Sequence, residues 1–189
     1  MTHAFPRRAT VERSTRETSI VATIILDASG VSSIATGLGF LDHMLATLAA
    51  HSRIDIDLVC KGDLRVDDHH TVEDCAIVLG TALDRALGER AGIARFGSAY
   101  APMDESLARA AIDAATRPTA VIDLGLKRDR LGDVSCENIH HFFRSFAIAA
   151  RFCLHLDVLR GENDHHRAEA AFKALGLSLR SAIAIEAGG

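Results

Sequence analysis

Asp68-His69-His70-Thr71-Val72-Glu73 returns 96 positions later as Asp164-His165-His166-Arg167-Ala168-Glu169. Without gaps, the same offset sets Leu79-Gly80 over Leu175-Gly176 and Leu83 over Leu179, seven identities in a window of 16 residues. Repetition on this scale is the signature of an architecture built twice. Upstream, His43 precedes His69 by 26 residues and His141 precedes His165 by 24. The chain therefore reads as a duplicated unit with a seam near Gly88 to Arg95, dividing it into repeats over 1–92 and 93–189.

Hydrophobic patterning gives both repeats a similar order of elements. Ser19 to Asp27 is rich in β-branched residues and reads as a strand. The Ser29-Gly30 turn leads into Val31 to Thr36, expected as its hairpin partner. Phe40 to His51 has helical spacing, whereas Arg53 to Cys60 alternates apolar and polar like a strand buried on one face. Asp68 is the expected N-cap of a long helix over Thr71 to Leu87, stopped by Gly88. In the second repeat, strands are expected at Phe96 to Tyr100, Ser106 to Asp113, Thr119 to Leu124 and Phe152 to Leu159. Helices are expected at Glu137 to Ala150 and His165 to Ile185. The reading is α+β, a duplicated two-layer α/β sandwich, each half β-β-β-α-β-α.

Composition narrows the functional classes. The chain has 189 residues, 48% hydrophobic and 24% charged, with a net charge of −4. Nucleic acid and anionic membranes both demand concentrated positive charge, so neither is expected as a partner. No apolar run reaches the length of a membrane span, and the Arg7-Arg8 segment has no apolar stretch behind it to make a secretory signal. Cys60, Cys75, Cys136 and Cys153 are widely spaced, which suits reduced thiols in a cytoplasmic protein better than a disulfide framework.

The histidines carry the chemistry. On a helix, residues i and i+4 lie about 40° apart around the axis and i+1 lies about 100° away. His69 and Glu73 thus share a face, as do His165 and Glu169, while His70 and His166 point elsewhere. If the halves pack with pseudo-twofold symmetry, or meet across a subunit boundary, each pair is completed by the other repeat. The sets expected are His69, Glu73, His141 and His166 for one metal, and His165, Glu169, His43 and His70 for another. Three imidazoles and one carboxylate leave no opening in a four-coordinate zinc site. They suit a six-coordinate Mn²⁺-like ion with positions left for water or substrate. Lys173 stands four residues after Glu169 on the same face, and its counterpart in the first repeat is Ile77, so it is a candidate catalytic group present in one copy only.

Beyond these residues, a longer ordered series resembles the imidazoleglycerol-phosphate dehydratase family. It comprises Arg16-Glu17-Thr18, Gly39-Phe40-Leu41-Asp42-His43-Met44-Leu45, Asp68 to Asp74, Arg95-Phe96-Gly97, Pro102-Met103-Asp104-Glu105, Arg117-Pro118, His141-Phe142-Phe143 and Asn163-Asp164-His165-His166. The resemblance implies a fold like domain 2 of ribosomal protein S5, two manganese ions per active site, and a 24-subunit assembly with sites at subunit interfaces. It also implies dehydration of imidazoleglycerol phosphate to imidazole-acetol phosphate in histidine biosynthesis. Two metals on the imidazole nitrogens would stabilise an imidazolate, which expels the hydroxyl to give a diazafulvene-like intermediate. Glu17 matches the family's catalytic glutamate, with Asp104 a second acid/base candidate. Arg95 and Arg117 match its phosphate-binding positions, where a planar guanidinium suits bidentate contact.

Two departures bear on these expectations. Ala115-Thr116-Arg117-Pro118 stands where the family has a Ser-Gly-Arg-Pro turn, which puts the loop geometry in question. Glu186-Ala187-Gly188-Gly189 stands where the family has a Pro-Ser-x-Lys-Gly-like segment gripping phosphate, so weaker substrate binding is expected. The alternatives are a dinuclear metal hydrolase and a metal-assembled oligomer with little or no activity.

Overall fold

Alternating burial builds the strands. In β2 (Thr18–Ile25), Thr18, Ile20, Ala22 and Ile24 turn inward, and in β4 (Asp55–Gly62) Ile56, Leu58 and Cys60 do the same. This period of two is what a sheet with one covered face requires. The structure, a computed structural model, describes residues 7–186. The expectations about a leader at the extreme N-terminus and about Ala187-Gly188-Gly189 thus fall, wholly or in part, outside the described residues.

The first sheet joins β1 (Arg8–Ser14), β2, β4 and β3 (Ser32–Ala35) in the order β1-β2-β4-β3. The second joins β5 (Phe96–Met103), β6 (Ser106–Asp113), β10 (Cys153–Arg160) and β7 (Thr119–Asp123) in the matching order β5-β6-β10-β7. In both sheets the third strand runs parallel to the fourth and the other pairings are antiparallel. The helices are α1 (Gly39–Ser52), α2 (His69–Leu87), α3 (Cys136–Ala149) and α4 (Asp164–Ala182). A short hairpin of β8 (Arg130–Leu131) and β9 (Val134–Ser135) precedes α3. The fold is therefore α+β, with each half giving three strands, a helix, a strand and a helix.

Two local expectations are corrected, and one element was not expected. Val31 to Thr36 is not the hairpin partner of β2; that role belongs to β1, and β3 pairs parallel with β4. Asp55 Oδ1 accepts the N–H groups of Gly30 and Val31, both at 2.8 Å, and carries the segment past β2 to the far side of β4. Parallel neighbours need a crossover, which α1 supplies. The last helix stops at Ala182 rather than Ile185, because Ile185 pairs with Ile93 and the carbonyls of Ala182 and Ala184 accept from Arg95 and Ala94. The β8–β9 hairpin is too short to leave a periodic signal.

The layers run sheet, helices, helices, sheet. α1 and α2 cover the first sheet, α3 and α4 cover the second, and across the middle α2 packs on α3 and α1 on α4. Helices in such a layer are covered on several sides. Phe142, Phe143, Phe146 and Phe172 interlock there with ring centroids 4.5–6.0 Å apart. The closest approaches occur at the two glycines of the repeat. A Cβ on Gly80 of α2 would lie 2.6 Å from Phe146 O, and one on Gly176 of α4 would lie 2.9 Å from His51 Cβ and 3.1 Å from Leu48 O.

Gly80→Ala and Gly176→Ala are expected to destabilise the protein by about 1–3 kcal/mol each, despite alanine's better helix propensity, because backbone on the facing helix must move. Thermal unfolding checks this through a lowered Tm; an unchanged or raised Tm would show that the helices can separate freely.

Candidate active site

Both histidine motifs open a helix. Asp67 Oδ1 accepts the His69 N–H at 2.9 Å, and Asn163 Oδ1, 96 positions on, accepts the His165 N–H at 2.9 Å. Asp68 is the N-cap residue of α2, as expected, but its side chain makes no capping hydrogen bond; the preceding Asp67 supplies that acceptor, as the N-cap Asn163 does for α4. Asp68 turns inward instead and accepts the Ser135 N–H at 2.7 Å, the Ser135 hydroxyl at 2.8 Å and the Asn138 amide at 2.9 Å. Burial alone would raise its pKa, but the Asn138 and Ser135 donors outweigh that and hold the carboxyl below its ordinary range. Its counterpart Asp164 accepts the N–H groups of Lys127 and Arg128.

With the helices fixed, two clusters of two imidazoles and a carboxylate form, each drawing on both halves. Glu73 Oε2 lies 3.7 Å from His69 Nε2, and Glu73 Oε1 lies 2.9 Å from His141 Nε2 on α3. Glu169 Oε2 lies 3.4 Å from His165 Nε2 and 3.6 Å from His43 Nε2 on α1. Within each cluster the candidate ligand atoms all lie within 4.8 Å of one another. Atoms bound about 2.1 Å from one ion stand about 3–4 Å apart, so both donor sets fit a divalent cation.

The two clusters differ in the side chain beside the carboxylate. Lys173 Nζ sits 2.8 Å from Glu169 Oε1 and 3.0 Å from Met103 Sδ, whereas Ile77 occupies the matching position beside Glu73. Burial pushes the Glu169 carboxyl up, but the Lys173 hydrogen bond and the charges around it prevail and lower its pKa. Oε2 of Glu169 is thereby left to the histidines.

His70 and His166 do not join the clusters of their own chain. His70 Nδ1 donates to Asp63 Oδ2 at 3.0 Å, and His166 Nδ1 donates to Glu105 Oε2 at 2.8 Å with Asp104 Oδ2 3.8 Å from Nε2. Hydrogen bonding to Asp63 raises the His70 pKa, helped by the charges of Asp63, Glu17 and Asp67. Glu105 does the same for His166. His166 thus faces the hairpin turn between β5 and β6, where Asp104 and Glu105 lie, whereas His70 meets Asp63 just past β4, with Glu17 in the turn between β1 and β2.

Arg95 and Arg117 stand elsewhere. The Arg95 N–H donates to Ala182 O at the C-terminal end of α4, while His165 is at its start, and 19 helical residues span about 28 Å. The Arg95 guanidinium donates to Asp113 at 2.8 and 3.1 Å and lies over Phe96; Arg117 is exposed nearby, before β7. One chain therefore does not bring these arginines to its own histidines. Thr116 adopts φ 63°, so the turn keeps a left-handed conformation that glycine would hold more easily.

Residues 36–179 match the family model described as imidazoleglycerol-phosphate dehydratase. The chain belongs to the imidazoleglycerol-phosphate dehydratase family. It is 55% identical over 184 residues to the imidazoleglycerol-phosphate dehydratase of Chlorobium luteolum, covering 97% of this chain and 92% of that protein. It is 58% identical over 177 residues to that of Phytophthora nicotianae, covering 94% of this chain but 39% of that longer protein. Among solved structures, the Staphylococcus aureus dehydratase superposes with a TM-score of 0.86 at 35% identity, covering 95% of this chain and 99% of the other. The Pyrococcus furiosus protein gives a TM-score of 0.81 at 36% identity, covering 93% and 94%. The duplicated sandwich is thus the dehydratase fold. Among the described residues, no helix is long and apolar enough to cross a membrane.

Several residues framing this dehydratase site escape a reading by motif. Asp63, Asp67 and Asn138 lie outside the quoted motif series, and contacts alone identify Asp63 and Asp67. Asp133, whose carboxylate accepts the Gly39 and Phe40 N–H groups at the start of α1, sits in the unpredicted hairpin. Asn138 alone left a signal, its position three residues before His141 on one helix.

In metal-free protein, ¹⁵N-histidine NMR is expected to show His166 titrating above the ordinary value of about 6.5, with Glu105→Gln returning it toward that value. The pair's stabilising effect should be complete below about pH 6.5 and be lost as pH rises through the higher folded value. An unchanged midpoint in Glu105→Gln would remove Glu105 as the cause.

Proposed function

We propose that this chain catalyses the manganese-dependent dehydration of D-erythro-imidazoleglycerol phosphate to imidazole-acetol phosphate, as a cytoplasmic enzyme of histidine biosynthesis. Its chemistry takes place in a homo-oligomer of 24 subunits with sites at subunit interfaces. The observation that carries this reading is the pair of His₂Glu clusters, each assembled from both halves of the duplicated chain. The division of the remaining groups supports a shared site. His70 and His166 turn away from their own clusters, and Arg95 lies about 28 Å along α4 from His165, so neighbouring copies are the natural source of the missing contacts.

His69, Glu73 and His141 would hold one manganese ion and His43, His165 and Glu169 the other, with His70 and His166 as fourth ligands contributed between copies. Bound there, the ions supply Lewis acidity to the two nitrogens of the substrate's imidazole. The protein's own groups handle protons and charge. Loss of the ring N–H proton leaves an electron pair that expels the hydroxyl from the attached carbon. Loss of the neighbouring C–H proton, with a proton returned to the ring nitrogen, then gives an enol, which relaxes to the ketone, so that one water is lost overall. Glu17, in the exposed turn facing His70, is the first choice for moving the carbon-bound proton. Asp104, 3.8 Å from His166, would protonate the departing hydroxyl, and Lys173, 2.8 Å from Glu169, would restrain that carboxylate and offer a proton from the same face. Arg95 and Arg117 would take the phosphate, since exposed guanidinium groups match its oxygens.

Supplied with Mn²⁺ and imidazoleglycerol phosphate, the protein is expected to form imidazole-acetol phosphate and to stop when a chelator is added. Glu17→Gln should lower kcat by about 10²–10⁴-fold with metal content unchanged. Release of inorganic phosphate without ketone would favour the hydrolase reading. Metal-dependent assembly without turnover would favour the purely structural one.

A further inference from the structure

The two clusters are related by the duplication, yet the first histidine of each is held differently. Asn138 precedes His141 by three residues on α3, and Phe40 precedes His43 by three residues on α1, so the two occupy matching places. Each reaches across to the opposite tetrad. Asn138 Oδ1 lies 2.9 Å from His69 Nδ1, while the Phe40 ring meets His165 edge-on at 5.3 Å. Among the described residues, His165 Nδ1 has no hydrogen-bond acceptor comparable to Asn138.

The direction of the Asn138 contact follows from its surroundings. Asp68 is 2% exposed and Asn138 is 4% exposed, so solvent does not share their hydrogen bonds. An ionised carboxylate only accepts, so the Asn138 side that meets Asp68 Oδ2 at 2.9 Å must be its NH₂ group. Its carbonyl oxygen therefore faces His69, and a carbonyl only accepts. His69 Nδ1 must then carry the proton, which leaves Nε2, 3.7 Å from Glu73 Oε2, with its lone pair free for a metal. Asp68 is itself pinned by Ser135 through two hydrogen bonds and by Arg130 at 3.3 Å, so the amide has no easy route to flip.

We propose that Asn138, locked by the buried Asp68 carboxylate, is a positioning residue that fixes His69 as its Nδ1–H tautomer and makes the His69–Glu73–His141 cluster the tighter of the two metal sites. The affinity half of this statement rests on the manganese reading above; the tautomer half concerns the metal-free protein. A ligand histidine held through its other nitrogen keeps both ring orientation and tautomer, and loss of such a contact typically costs 10–100-fold in metal affinity. The edge contact of Phe40 restrains the plane of His165 without selecting a tautomer, so the second cluster must sort its protons when metal arrives.

The test uses full-length protein with ¹⁵N-labelled histidine, studied metal-free by magic-angle-spinning NMR and then titrated with Mn²⁺ by electron paramagnetic resonance. In the wild type, His69 is expected as a single Nδ1–H tautomer and His165 as an averaged pair, with Mn²⁺ binding in two classes. Asn138→Leu keeps the side chain's bulk without its polar atoms. It should average the His69 tautomers and weaken the tighter class by about 10–100-fold while the weaker class stays unchanged. An averaged His69 in the wild type overturns the proposal without any variant having to fold. So does an Asn138→Leu protein with unaltered tautomer and affinities. If wild-type protein binds no Mn²⁺, the affinity half fails together with the manganese reading, and the tautomer comparison alone decides the positioning role.

Discussion

The contact between the two helix layers is the constraint on which the rest depends. Neither half holds more than a His–Glu pair on its own helix; the third donor always arrives on a helix of the other half. α2 must lie against α3 for His141 to meet Glu73, and α4 must lie against α1 for His43 to meet Glu169. The approach is set at Gly80 and Gly176, where the facing helix occupies the space a side chain would fill. Because packed interiors do not deform smoothly, a shift at these crossings would be felt at the cluster ends of the same helices. Stability of the fold and geometry of the site are therefore one property here.

Duplication supplies a symmetric frame, and divergence then makes its two sites unlike. Equivalent capping acceptors, Asp67 and Asn163, start both ligand helices, and equivalent inward carboxylates, Asp68 and Asp164, tie those starts to the segment between β7 and α3. Against this common background, Lys173 faces Glu169 where Ile77 sits beside Glu73, and Asn138 faces His69 where Phe40 sits beside His165. One cluster has its carboxylate restrained by a cation and the other has an imidazole restrained by an amide. A substrate with two different ring nitrogens would meet two different environments.

Much of the fold was legible because its signals are local or repeated. Strands buried on one face alternate, α2 ends at Gly88, and a recurring Asp-His-His-x-x-Glu announces both the duplication and the i, i+4 ligand pairs. Pairing was less legible. Val31 to Thr36 has strand character, but whether it lies beside β2 or β4 depends on Asp55 gathering the turn, a contact 24 residues distant in sequence. The role of Asp68 was hidden for the same kind of reason: its partners, Ser135 and Asn138, come from the other half.

The sequence by itself thus determined the class of fold, the repeat, and which histidines and glutamates share a helix face, since all of these follow from periodicity along one chain. Assuming pseudo-twofold packing, the sequence also pointed to His141 and His43 as the completing histidines; only the tertiary structure decided that His70 and His166 turn toward Asp63 and Glu105, and that Arg95 lies a helix length from His165 of its own chain. Those facts depend on distances between segments far apart in sequence, fixed by the packing of helices and sheets, and no local pattern encodes them.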